Sequence, residues 1–303
     1  MLRWYPPAWR ARYGDELMAM IEDEPGARRP TFRFNASMAW HGLRERGHEA
    51  GLLGDGASPG ERVRSGSLLV LCAWAAFMLA GASFSKASEH FARALPPAGR
   101  GVPQVAFDVV AVLGVVGVTL VAVGALLAVP SFVRLLRIGG WTHVRGSVLR
   151  ASLLTVVTVA GVLTLSEWAQ HLSGFQRNGG DGFYAAAFGA WALLAAVTLG
   201  QWTGAAVAAA RRIEFAAGVL RLQALLAIGV AGVMVVITGA TALWWSSMAQ
   251  SAPWFIDGTA RGTSPSPFNL QLVVTLALML AAALSAVYGV SRIVRAAGGL
   301  RSV

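Results

Sequence analysis

The chain has 303 residues, 55% of them hydrophobic and only 13% charged, against about a quarter charged in soluble domains. That balance places it among membrane proteins rather than soluble ones. Its net charge of +10 invites a nucleic-acid reading, but the basic residues fall mostly in short gaps between apolar runs. There they set membrane orientation, and the sequence predicts no nucleic-acid partner.

The polar opening stretch, "WYPPAWRARYGDELMAMIEDEPG", spans Trp4 to Gly26. Pro6 and Pro7 suit the start of a helix, and Pro25 with Gly26 suits its end. At 100° per residue, Trp9, Tyr13, Leu17, Met20 and Ile21 share an arc of about 120°, the width of one buried face. Arg12 can meet Asp15 and Glu16 at spacings of three and four. Basic Arg10 and Arg12 open this helix while Glu22, Asp23 and Glu24 close it, an order that opposes the helix dipole. The bland explanation is a solvated face. The sharper one is an acidic end that meets a basic surface, with Trp9, Tyr13, Asp15, Glu16, Leu17, Glu22 and Asp23 as partner-docking residues.

A second helix is predicted over 31–50, where Phe32, Ala36, Ala39, Leu43 and Ala50 repeat with helical spacing and Trp40 flanks the stripe. Two such helices form a hairpin of roughly 50 residues, marginal for an independent core. Their apolar faces therefore need a further surface: a partner, a second copy or the membrane. "GLLGDGASPGE", from Gly51 to Glu61, reads as linker.

The pattern "YPPAWRARYGDEL", then "IEDE" and "GLRERG", resembles the N-terminal helical module carried by multi-pass proteins of high-GC bacteria. It is more loosely similar to helical signalling domains associated with PadR-type transcriptional regulators. The likeness covers about the first 50 residues. It implies a cytosolic regulatory or docking module and supplies no catalytic residue.

Six apolar stretches follow, at 66–84, 105–129, 150–168, 183–209, 222–247 and 269–290. Each approaches or exceeds the ~20 residues needed to cross a ~30 Å hydrocarbon core as a helix. None alternates as a barrel strand would. With a cytosolic N-terminus, the inner flanks hold twelve basic residues: Arg62, Arg64, Arg134, Arg137, Arg145, Arg150, Arg211, Arg212, Arg221, Arg292, Arg295 and Arg301. The outer loops hold five, Lys86, Arg93, Arg100, Arg177 and Arg261. The inequality predicts both termini in the cytosol. Trp141 and Trp202 fall near inner edges, and Trp168, Trp244, Trp245 and Trp254 near outer ones, where amphipathic rings settle. Gly200 and Gly204 form a GxxxG, and Gly114, Gly117 and Gly124 share one span as Gly229, Gly232 and Gly239 share another. Tight helix packing is the expectation, with a homodimer seam at Gly200 and Gly204 as the alternative.

The expected fold is thus all-α: a six-helix transmembrane bundle over 65–303, a flexible linker over 51–64, and a short cytosolic helical hairpin over 1–50. No apolar run precedes Ser65, so no signal peptide is visible. Catalytic motifs are lacking: there is no Walker loop, GxSxG elbow or HExxH. Lone Cys72 forms no internal disulfide, and no Cys/His spacing suggests zinc; no cofactor is expected. Asp108, Glu167 and His171 lie at outer span edges and form a candidate outer-face ligand site, although helix-end charges readily snorkel to water.

The expected function is a non-catalytic membrane protein, regulatory, sensory or scaffolding, whose leading module docks a cytosolic protein. The alternative is a transporter or permease subunit for a small solute or ion. Pro130 and Pro253 sit at span edges, not at the midplane where broken helices build transport sites.

Overall fold

Lipid offers backbone N–H and C=O groups no partner, so apolar runs of this length satisfy them internally, as helices. A computed structural model describes residues 2–23, 32–49, 58–96, 99–173, 181–210, 212–213, 215–257 and 270–300. Among them every regular element is helical. The elements are α1 (Pro7–Glu22), α2 (Phe32–Glu49), α3 (Pro59–Ala87), α4 (Phe91–Ala94) and α5 (Gly101–Leu135), then α6 (Trp141–Gln170), α7 (Gly182–Ala210), α8 (Ala217–Ser251), α9 (Pro253–Asp257) and α10 (Leu270–Leu300). Six of them, α3, α5, α6, α7, α8 and α10, are long and apolar enough to cross a membrane. Arg177, Arg211, Arg261 and Arg301 of the orientation count lie outside the described residues, as do Glu24 and the first part of the linker, 51–57.

The helices overrun the apolar stretches. At 35 residues α5 is about 52 Å long, well beyond a ~30 Å core. The expected inner loop between the second and third spans is not a loop. A single π-helical turn, Leu136–Gly140, joins α5 directly to α6, with Gly139 at φ 84°, a left-handed conformation that glycine adopts without strain. The linker is also shorter than expected, because α3 begins at Pro59. Ser58 Oγ accepts from the Glu61 N–H at 3.2 Å while the Ser58 N–H donates to the Glu61 carboxylate at 3.4 Å. This capping box, with proline at the first helical position, fixes the start of α3.

Four helices form the body: α10 lies along α3, α8 along α5, and α3 and α10 both pack on α8. Its core is built from Val70, Trp74, Phe77, Met234, Met279 and Ala286. At the near end, where α3 begins, α3 and α10 touch through backbone. A Cβ on Gly66 would lie 2.7 Å from the Gly289 carbonyl oxygen, and one on Gly289 would lie 2.9 Å from that of Gly66. At the far end Thr275 donates to Ser83 Oγ at 2.9 Å. There α4 and α9 close over the bundle, burying Phe91 and Ile256 with Phe84, Met248 and Leu272. Trp244 belongs to this plug. Expected at the interface, it is instead fully buried, edge-on to Phe84 at 5.1 Å and to Phe91 at 5.7 Å. The aromatic stack outweighs the preference of an indole for the wet boundary.

Helices α6 and α7 pair with each other and meet the body sparsely, chiefly through α7 on α3 and through the π turn. Their clasp is polar. Thr158 and Thr198 place their hydroxyls 2.8 Å apart, Trp191 Nε1 donates to the Thr158 carbonyl at 3.0 Å, and Trp202 Nε1 donates to Thr155 Oγ1 at 2.9 Å. Each threonine hydroxyl is also 2.8 Å from a carbonyl of its own helix. Two protons cannot serve three contacts, so one hydroxyl donates across and the other back. Thr198→Val keeps the shape and removes the crossing bond; the expected loss is about 0.6 kcal/mol, read as an earlier midpoint when folded protein is titrated with denaturing detergent.

Candidate functional site

The N-terminal module is held together differently from a simple hairpin. The turn Leu2–Trp4, rather than the stripe of α1, grips α2. A Cβ on Gly42 would lie 2.6 Å from the Trp4 Cβ, so the turn rests directly on a bare backbone. Arg46 donates from Nε to the Trp4 carbonyl at 2.6 Å and from Nη2 to the Arg3 carbonyl at 2.7 Å. Tyr5 is buried, with its hydroxyl 3.9 Å from Met38 Sδ. Burial first, and then the Glu45 carboxylate, raise the Tyr5 phenol above its ordinary pKa.

From just before α1 the rings meet at every fourth residue: Tyr5 stacks on Trp9 with centroids at 4.0 Å, and Trp9 lies tilted against Tyr13 at 5.5 Å. Arg12 lies over the Tyr13 ring at 5.2 Å rather than pairing with Asp15 or Glu16. Of the predicted docking residues, Trp9 and Leu17 are half-buried, while Tyr13, Asp15, Glu16 and Asp23 are exposed. The side chain of Glu22 lies outside the described residues. Among the described residues of the module, Met20 at 64% and Trp40 at 68% exposure are the barest large apolar groups. Sequence reasoning missed Gly42 and Arg46 as the grip, although the spacing of Tyr5, Trp9 and Tyr13 signals the ladder.

The outer-face candidates do not converge into a single site. Glu167 on α6 and His171 just past its end are 3.7 Å apart from carboxylate oxygen to Nε2, and both are more than two-thirds exposed. Gln170 also reaches Glu167 at 3.3 Å. Asp108, on α5, accepts from Gln104 at 2.9 Å instead. Solvated helix ends account for these contacts. Among the described residues no three His, Cys, Asp or Glu side chains gather as a metal would require.

The glycines divide sharply. Gly117 faces the Trp74 ring and Gly161 the Trp191 ring. Gly200 and Gly204 do not mediate packing within the chain: both are exposed, and a Cβ at either would meet nothing within 4 Å. Gly114, Gly232 and Gly239 are likewise open. The close approach instead uses Gly66 and Gly289, neither of them among the small-residue motifs singled out in the sequence.

Where the α6–α7 hairpin leans on the body, a partly open cavity of about 380 Å³ remains at the near end. Its walls come from α3, α5, α6, α7 and α8, and among the described residues its polar side chains are Arg64, Ser67, Gln223 and the Trp202 indole. That volume falls within the range of small-molecule sites. The fold and this cavity define an all-α chain with six helices of membrane-crossing length and a separate polar module. Comparison with protein-family models, with curated proteins and with solved structures returns no match.

Proposed function

We propose that this chain is a non-catalytic, membrane-embedded regulatory or scaffolding protein whose N-terminal module docks a cytosolic protein. One observation carries the reading: the module leaves the side chains of Met20, Trp40 and Tyr13 exposed. Bare apolar groups on a module that also exposes Asp15, Glu16 and Asp23 suit a partner with an apolar patch and a basic edge. The arginine asymmetry supports a cytosolic position for it, and the resemblance to helical signalling modules points the same way. Outward-facing Gly200 and Gly204 provide a seam for a second copy within the membrane. The transporter reading receives less support, since the described spans show no helix break at mid-membrane.

The test is site-specific photocrosslinking in native membranes from Met20, from Trp40, and from Gly60 at the start of α3 as a control. A common cytosolic protein captured at Met20 and Trp40 but not at Gly60 is expected. Removal of residues 1–57, which spares the Ser58 cap, abolishes its co-purification without preventing membrane insertion. Capture that survives the deletion overturns the proposal.

A further inference from the structure

We infer that the near-end cavity binds one anionic phospholipid, taking an acyl chain between the α6–α7 hairpin and the four-helix body and holding its phosphate at Arg64. Three observations on different helices converge on this occupant. The walls are hydrocarbon, carried by side chains such as Leu68, Val121, Val144, Ala205 and Ala227. Such a surface gives water too few hydrogen bonds to be a good filling.

Apart from the Trp202 indole, whose N–H already donates to Thr155, the polar lining groups of the described residues lie on α3 and α8. Arg64 and Ser67 stand one turn apart on α3, and Gln223 lies near the start of α8. Ser67 Oγ is buried and has no hydrogen-bond partner among the described residues. An amphiphile with a charged head and an apolar tail matches this division, and a guanidinium selects an anionic phosphate head over a zwitterionic one.

The cavity opens between helices of membrane-crossing length, so the apolar species at its mouth is a lipid tail. The route in is lateral, because α6 and α7 contact the body so sparsely. Ala205, Ala206, Ala209 and Ala210 on the cavity face of α7 keep the space open. Basic pockets between membrane helices at the cytosolic side select anionic lipids by this chemistry. The inference stands whether or not the module docks a partner.

The test uses the full chain in nanodiscs of phosphatidylcholine doped with a tail-diazirine lipid, bearing either a phosphatidylglycerol or a phosphatidylcholine head. The glycerol-headed probe is expected to label α3, α7 and α8 peptides lining the cavity about five-fold more than the choline-headed one. Arg64→Gln brings the two probes to parity, and Ala206→Phe, which fills the space, removes labelling of these peptides by both. Unlabelled phosphatidylglycerol competes, and soluble glycerol 1-phosphate does not. Equal labelling of the wild-type cavity by both heads would overturn the inference. So would adducts only on outward residues such as Leu126 and Val156, or displacement by the soluble phosphate. The wild-type comparison decides even if a variant fails to fold.

Discussion

Replacing Gly66 by leucine is expected to drive α3 away from α10 and cost roughly 3 kcal/mol of stability. The first added carbon would lie 2.7 Å from the Gly289 carbonyl oxygen and 2.7 Å from Ile293 Cγ1. An isoleucine tip can turn aside, but a carbonyl belongs to the backbone of α10 and moves only with that helix. Val70 closes the other side, 3.1 Å from where a Cβ on Gly289 would sit. Leucine keeps the segment apolar, so insertion is spared and the loss is one of packing. Denaturing-detergent titration of the purified protein, followed by circular dichroism, reads it as a lower midpoint. Gly204→Leu is the matched control: with nothing within 4 Å, it should change the midpoint by less than about 0.5 kcal/mol. If Gly204 lies in a seam between copies, the change appears in oligomeric state instead.

Trp244→Ala is expected to cost about 3 kcal/mol, the order found when a buried aromatic is truncated to a cavity. Its ring fills the far-end plug between Phe84 and Phe91. In lipid there is little hydrophobic drive between helices, so lost dispersion contacts account for most of the penalty. Trp244→Phe separates packing from polarity. The indole Nε1–H is buried and lacks a partner among the described residues, and leaving such a donor unsatisfied costs about 1–3 kcal/mol. Phenylalanine gives up part of the volume and removes that donor. The two effects offset, and a midpoint within about 1.5 kcal/mol of wild type is expected. A loss from phenylalanine as large as from alanine would mean that the N–H has a partner.

The spans were legible because hydropathy reports which residues meet lipid, and each of the six runs coincides, among the described residues, with a helix of crossing length. Helix ends were not, because outside the core a helix need not be apolar. Arg134 in α5 and Arg145 in α6 look like loop residues yet sit on helices. The Ser58 and Glu61 cap stands in the sequence as S-P-G-E, but its glycine and proline make the same stretch read as linker. Gly66 and Gly289 stayed hidden for another reason: their contact is long-range, while the GxxxG spacing marks Gly200 and Gly204, which face outward. Trp244 shows the same limit, because an indole near a span edge satisfies the rule for a boundary anchor until Phe84 and Phe91 fold around it. The cavity was invisible, since it depends on how loosely α6 and α7 lean on the body. The module's aromatic spacing was readable, but its grip through Gly42 and Arg46 required the three-dimensional fold.

The most direct measurement is labelling of single cysteines with a membrane-impermeant maleimide in intact cells, after Cys72→Ser. Cysteines at Glu89, Ser173 and Ser251 should react from outside. Those at Met20, Gly139 and Arg212 should react only once the cells are opened. That alternation is what six crossings with an internal leading module require. Reaction at Met20 in sealed cells, or any two consecutive connections labelled from the same side, contradicts it.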